Sequence, residues 1–215
     1  MASAKPPRRP RPAPDAVRRA ILDAARNLYL AKGYAGTSTD EVAALASVSK
    51  QTLYRHFADK DALVAEVIRS VIAAAEDQGA ETFDALAETV DLERDLIAFA
   101  HQHIRDVIDP QIMQMRRRII SEVDRFPALA RAWYEAGPKR GHEKLAASFT
   151  RLRARGLLAV DDPLLAAEQF NWLILSIPMN RAMFDADAPN ETGKHDYHAD
   201  AAVRVFLAAY GAKPK

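Results

Sequence analysis

Residues 37–68 read TSTDEVAALASVSKQTLYRHFADKDALVAEVI. Ser38-Thr39-Asp40-Glu41 has the S-x-x-E spacing of a capping box, in which a serine hydroxyl and a glutamate satisfy the free N–H groups of a starting helix. It opens a short helix over 39–46, with Val42, Leu45 and Ala46 inward. Ser47-Val48-Ser49 is a turn. Ser49 caps a second short helix over 50–57. Asp59 caps a longer helix to about Gln78, with Leu63, Val67, Ile68, Val71 and Ile72 as its apolar stripe. Two short helices joined by a tight turn form a helix-turn-helix unit, whose second helix can lie in the major groove of DNA.

The flanking sequence fits this unit. Asp15 can cap a helix to about Lys32, with Val17, Ile21, Ala24, Ala25 and Leu28 on one face. Gly33 follows, where a left-handed residue closes a helix at little cost. Ahead of it, KPPRRPRPAP (5–14) cannot be helical inside, because proline fixes φ and lacks an N–H. Residues 1–14 therefore read as a disordered basic arm, with Lys5, Arg8, Arg9 and Arg11 available to phosphates or a minor groove. Residues 1–60 hold 11 Lys/Arg against 5 Asp/Glu, whereas the rest holds 19 against 24. A basic end on an acidic body implies a polyanion-binding end and a second task elsewhere.

The whole chain is 215 residues and 23.8 kDa, enough for a buried core without staples. It contains no cysteine, which excludes disulfides, thiolate zinc sites and a cysteine nucleophile. With 42 Ala, 8 Gly and no period-2 runs, it reads as all-α. No signal-like or membrane-spanning apolar run occurs, so the expectation is a cytoplasmic bacterial protein with no membrane partner. No P-loop, zinc-protease or G-x-S-x-G pattern is present. His101 and His103 point about 200° apart on a helix and cannot share a metal. His195 and His198, with Asp196 and Asp200, could share one, but solvated residues opening a helix explain them better. The expectation is no enzyme, no cofactor and no metal.

The core TLYRHFADKDAL (52–63), within a match running from AILDAARNLYLAKGYAGTS to residue 68, resembles the DNA-binding domain of the TetR/AcrR family of transcriptional regulators. One departure is Ser47, where the family usually carries Gly, so the turn is expected to be slightly strained or differently shaped. The resemblance implies roles by position. Thr39 holds a phosphate; Lys50, Gln51 and Thr52 open the helix that reaches base edges, after the cap at Ser49. Tyr54, His56 and Lys60 touch phosphates. Gln suits adenine, and a Thr methyl suits a thymine methyl. Leu53, Phe57, Val42, Ala43 and Val48 are core.

The second half continues as helices over about 92–108, 110–125, 127–155, 163–184 and 195–210. Pro110, Pro127 and Pro163 fit first turns, and Gly137-Pro138 should kink or split the third. Arg116-Arg117-Arg118 reads as a solvated face with one member turned inward. Residues 115–183, notably SEVDRFPALARAWYEAGP and VDDPLLAAEQFNWLI, resemble the AefR-like C-terminal domain of the same family. Phe170 to Ile177 is apolar nearly all round, so it must be covered on both sides. Ala201, Ala202, Val205, Ala208 and Ala209 form a small-residue stripe.

Together these imply an N-terminal three-helix helix-turn-helix DNA-binding domain (15–60). A larger helical ligand-binding and dimerisation domain (61–215) follows. The expected partners are double-stranded DNA bearing a palindromic operator, a second copy through 163–184 and 195–210, and a small-molecule effector. Expected wall residues are His101, Arg105, Met113, Arg117, Trp133, Phe149, Phe170, Asn171 and Met179. The expected function is a repressor released from its operator by that effector. The alternatives are a ligand-independent regulator, which needs a filled interior, and a small-molecule-binding protein with a vestigial DNA-binding end.

Overall fold

A computed structural model describes residues 14–185 and 192–212. The described helices are α1 (Pro14–Gly36), α2 (Thr39–Leu45), α3 (Lys50–His56), α4 (Lys60–Ala87), α5 (Leu92–Val107), α6 (Pro110–Ser121), α7 (Pro127–Tyr134), α8 (Arg140–Ala154), α9 (Pro163–Phe184) and α10 (Thr192–Tyr210). A π-helical turn, Glu135–Lys139, joins α7 to α8. The described residues hold no strand beyond one isolated bridge between Leu158 and Gly211. The fold is all-α, as the composition implies. The basic arm lies outside the described residues, apart from Pro14 at the start of α1.

The chain divides into two compact units, one ending at Val67 and one starting at Ile68. The division falls inside α4, seven residues beyond the expected boundary. Leu63, Val64 and Val67 are fully buried and belong to the first unit, so α4 completes that core before it leaves it.

In the first unit α1 packs on α2, and α2 on α3. Helix α1 buries Ile21, Ala24, Ala25 and Tyr29. Its helical run breaks at Gly33, which sits at φ 74° and ψ 180°, a combination that strains any side chain. The Thr37 hydroxyl donates to the Gly33 carbonyl at 2.8 Å and holds the break. Both helix-turn-helix caps form: the Glu41 N–H donates to Ser38 Oγ at 3.1 Å, and the Thr52 N–H to Ser49 Oγ at 3.0 Å. The Ala62 N–H donates to Asp59 Oδ1 at 2.7 Å. Val42, Ala43, Leu53 and Phe57 are buried as expected. Leu45 is not; it is 56% exposed, because the last turn of so short a helix rotates it away from α1.

The second unit packs α8, α9, α10 and α5 around a common core. Phe170 is its centre, with ring centroids 4.8 Å from Phe206, 5.8 Å from Phe149 and 6.1 Å from Phe99. Asp91, Asp109 and Asp162 cap α5, α6 and α9, and Pro110, Pro127 and Pro163 occupy first turns. The expected kink at Gly137-Pro138 takes the form of the π-helical turn. The loop after α8 is pinned by Ala159, whose N–H donates to the Tyr210 carbonyl at 2.8 Å. Pro178 lies inside α9, buried, and the helix continues through it.

Phe149 and Phe170, expected as effector walls, are instead fully buried core. Phe170→Ala should therefore cost about 3–5 kcal/mol. Urea unfolding measures this; a loss below about 1 kcal/mol would show that the ring lines open space.

Candidate functional site

The first unit presents α3 outward. Leu53 and Phe57 anchor its inner face, while Lys50, Gln51 and Tyr54 are exposed. The angle between α2 and α3 is set by the turn. Ser47 has φ 55°, the left-handed conformation that a side chain disfavours. The Ser47 N–H donates to the Ala44 carbonyl at 3.1 Å, and the Val48 N–H to the Ala43 carbonyl at 2.9 Å. This pair of bonds is the Schellman closure of α2. The expected strain at Ser47 is thus present and is offset by the closure.

Each expected contact residue has a definite setting. Thr39 Oγ1 and the Tyr54 hydroxyl lie 3.1 Å apart, bridging α2 and α3. Lys50 Nζ meets Asp40 Oδ1 at 2.8 Å, and this carboxylate raises the lysine pKa above its ordinary value. Ser49 Oγ caps α3 and also meets Thr52 Oγ1 at 2.8 Å. The Thr52 hydroxyl is thereby engaged, and its methyl is left as the group to offer. The Gln51 side chain makes no hydrogen bond among the described residues. Lys60 Nζ stands 4.1 Å from the centre of the Tyr34 ring, which steers the ammonium at the start of α4. The Tyr34 hydroxyl donates to Asp61. His56 differs from its neighbours: its Nε2 is buried, with no hydrogen-bond partner.

The second unit contains a cavity of about 450 Å³. Its apolar walls include Ile72, Val107, Ile112 and Leu175, with Trp133, Tyr134 and Trp172 as aromatic faces. Its polar groups are His103, Asp106, Arg116, His142, Glu168 and Asn171. The π-helical turn supplies Gly137 and Pro138. A Cβ at Gly137 would stand 3.4 Å from Ile72 Cδ1, an ordinary contact, so the turn lies directly against α4. A smaller cavity of about 170 Å³ shares Arg116, Trp133, Tyr134 and Pro138.

Of the nine expected wall residues, Trp133, Asn171 and Met179 line this cavity. The others do not. His101 Nε2 meets Asp200 Oδ1 at 2.8 Å, and Arg105 Nη1 lies 3.9 Å from Asp196, so both tie α5 to α10. Met113 is buried in the core. Arg117 donates to the Ala182 carbonyl at 2.7 Å. Phe149 and Phe170 are core. The residues that do face the cavity stand one or two positions away: His103, Asp106, Ile112 and Arg116. One residue turns a helix by about 100°, so periodicity alone selects the helix but not the rotation. Tyr134, Gly141 and His142 also escaped the sequence reading; their signal was Gly137-Pro138, since π-helical turns often mark functional sites.

His103 Nε2 meets Asn171 Oδ1 at 2.9 Å, and the imidazole stacks on Phe99 at 5.4 Å. Burial pushes His103 below its ordinary pKa, against the Asn171 hydrogen bond and Asp106, which raise it, and with His142, which lowers it. Burial likewise lowers His142, whose Nδ1 has no hydrogen-bond partner and stands 3.9 Å from Glu168. Both rings are thus neutral donor–acceptor groups at neutral pH. Among the described residues no cluster of His, Asp or Glu could hold a metal, and no helix is long and apolar enough to cross a membrane.

Comparison with known proteins agrees with this geometry. Residues 21–67 match the profile of bacterial regulatory proteins of the tetR family, and residues 94–212 that of the AefR-like transcriptional repressor C-terminal domain. A TetR-family transcriptional regulator from Mesorhizobium loti MAFF303099 is 39% identical with a TM-score of 0.85, covering 94% of this chain and 100% of that one. The flavonoid-responsive regulator FrrA is 30% identical with a TM-score of 0.78, covering 93% and 100%. The HTH-type regulator YvkB of Bacillus subtilis strain 168 is 50% identical over 44 residues. That stretch is 20% of this chain and 23% of the Bacillus protein.

A pH dependence follows from the two buried histidines. Their folded pKa values lie below the unfolded value of about 6.5, so acidification favours the unfolded chain, which binds the extra protons. Stability to urea should hold above about pH 7.5 and fall between about pH 7 and pH 5.5. The double variant His103→Gln, His142→Gln should lose most of that slope. An unchanged slope in the variant would place its origin elsewhere.

Proposed function

Because the chain belongs to the TetR family of bacterial transcriptional regulators, we propose that it is a dimeric repressor that leaves a palindromic operator when a small molecule fills its cavity. The carrying observation is the setting of α3. Its inner face is locked into the first core, while Lys50, the unengaged Gln51 amide and the Thr52 methyl open its outer face. That division of faces is what base readout requires. Thr39, Tyr54 and Lys60 are the proposed phosphate contacts, and Ser49 acts as the cap that holds Thr52. With its Nε2 buried, His56 contributes to the packing of α3 more than to the DNA.

Dimerisation is proposed through α9 and α10. Leu164, Leu165, Trp172, Ile177 and Phe184 on α9, with Tyr197 and Val205 on α10, are large apolar side chains left exposed. Exposed apolar side chains gathered on two helices are what an interface between copies would cover. Ala202 does not belong to it; it is buried in its own core. Val205 is therefore the informative position. Val205→Glu should give a monomer by light scattering, and a wild-type monomer at micromolar concentration would refute the interface.

The cavity favours an effector over ligand-independent action, which predicts a filled interior. FrrA is by name responsive to flavonoids. A planar aromatic effector accords with the aromatic faces found here. Helix α4 carries both Lys60 and the cavity residue Ile72, so a ligand that shifts this helix acts on the phosphate contact. A coupling of about 1–3 kcal/mol would weaken DNA binding roughly 5–150-fold.

The test begins with duplexes selected from a random pool. Lys60→Ala should weaken binding to selected and random duplexes alike and reduce the salt slope by about 1. Gln51→Ala should cost about 1–3 kcal/mol on the selected duplex and relax preference at one base pair. An aromatic compound that binds the cavity should release the selected duplex. Failure to select any duplex would overturn the reading.

A further inference from the structure

Arg116 is the unusual member of the cavity wall. It projects from α6 among Trp133, Tyr134, Ile112 and Pro138, at the wall shared by the two cavities. Burial alone lowers its pKa from the ordinary guanidinium value, with no carboxylate acting against that shift. Among the described residues it makes no ion pair or hydrogen bond. Its neighbours in sequence are engaged: Arg117 holds the Ala182 carbonyl, and Arg118 has a partner of its own.

The other polar groups of the cavity make no hydrogen bond or ion pair to Arg116, and two of them, Asp106 and Glu168, are carboxylates. His103 and Asn171 hold each other. Asp106 accepts from the Gln102 amide at 2.6 Å. Glu168 lies beside His142. Neither carboxylate reaches Arg116. A partly buried cation without a counter-charge costs free energy in the empty protein, and that cost is removed when an anion arrives. A guanidinium presents a rigid fork that fits a carboxylate with two parallel hydrogen bonds, and its plane stacks on aromatic rings. A cavity of about 450 Å³ holds a molecule of two or three rings.

We propose that the effector is an aromatic carboxylate whose acid group pairs with Arg116 while its rings lie between the Trp133, Tyr134 and Trp172 faces. This rests on the reading of the cavity as an effector site and names the chemistry of that effector. The arginine serves the ligand and not the fold.

Both tryptophans of the chain line the cavity, so their quenching reports occupancy directly. The probes are biphenyl-4-carboxylate and its neutral match biphenyl-4-carboxamide. Wild-type protein should bind the carboxylate at least about tenfold more tightly than the amide. In Arg116→Gln that preference should vanish, with the carboxamide Kd within about threefold of wild type. The ligand-free Tm of Arg116→Gln should equal or exceed that of wild type, because an uncompensated charge has been removed. Equal affinities for acid and amide, or a preference that survives Arg116→Gln, would overturn the proposal. So would a clear drop in ligand-free Tm, which would give Arg116 a structural role. If acid and amide bind alike, the effector site stands and only its anion specificity falls. If neither probe quenches the tryptophans or weakens duplex binding, the effector reading falls as well.

Discussion

Helices of seven residues do not persist alone in water, because a helix this short barely offsets its nucleation. What holds α2 and α3 is the turn between them. Ser47 adopts a left-handed backbone, which strains a side chain, and the Schellman bonds from Ser47 and Val48 to α2 hold it there. The Ser38 and Ser49 caps then fix where each helix starts. With the ends set, Val42, Ala43, Leu53 and Phe57 have one way to reach the core. The outward placement of Gln51 and Tyr54 is the consequence. The proposed recognition surface is thus the remainder left when a small core has chosen its faces.

The second unit solves the opposite problem. Four phenylalanines on α5, α8, α9 and α10 close one region of its interior to solvent. The π-helical turn lines the cavity through Gly137 and Pro138, with Gly137 against Ile72 of α4. Of the cavity's polar groups, His103 and Asn171 satisfy each other, whereas among the described residues His142 Nδ1 has no hydrogen-bond partner and Arg116 no counter-charge.

Much of the first unit was legible in the sequence because its signals are local. Serine caps, a glycine at the break of α1 and the apolar spacing of α4 each specify structure within a few residues. Leu45 was misread for the same reason: a seven-residue helix is too short for periodicity to fix its last turn. The second unit was legible in outline, since Asp-Pro starts and an apolar α9 announce helices, yet its cavity was not. Periodicity sets His101 apart from His103, and Arg116 from Arg117, but does not say which member of each pair meets the cavity. Which one faces the cavity depends on the rotation of α5 and α6 against α9 and α10, and that is a long-range property. Ala202 shows the same limit, because a small residue suits either an internal seam or an interface between copies.

If α3 reads DNA as one half of a two-fold pair, hydroxyl-radical footprinting of the full chain on a selected duplex shows two protected stretches centred about 34–36 Å apart. The two are related by two-fold symmetry, and protection is lost on adding a cavity ligand. A single unpaired footprint, or protection that follows no sequence, would contradict it.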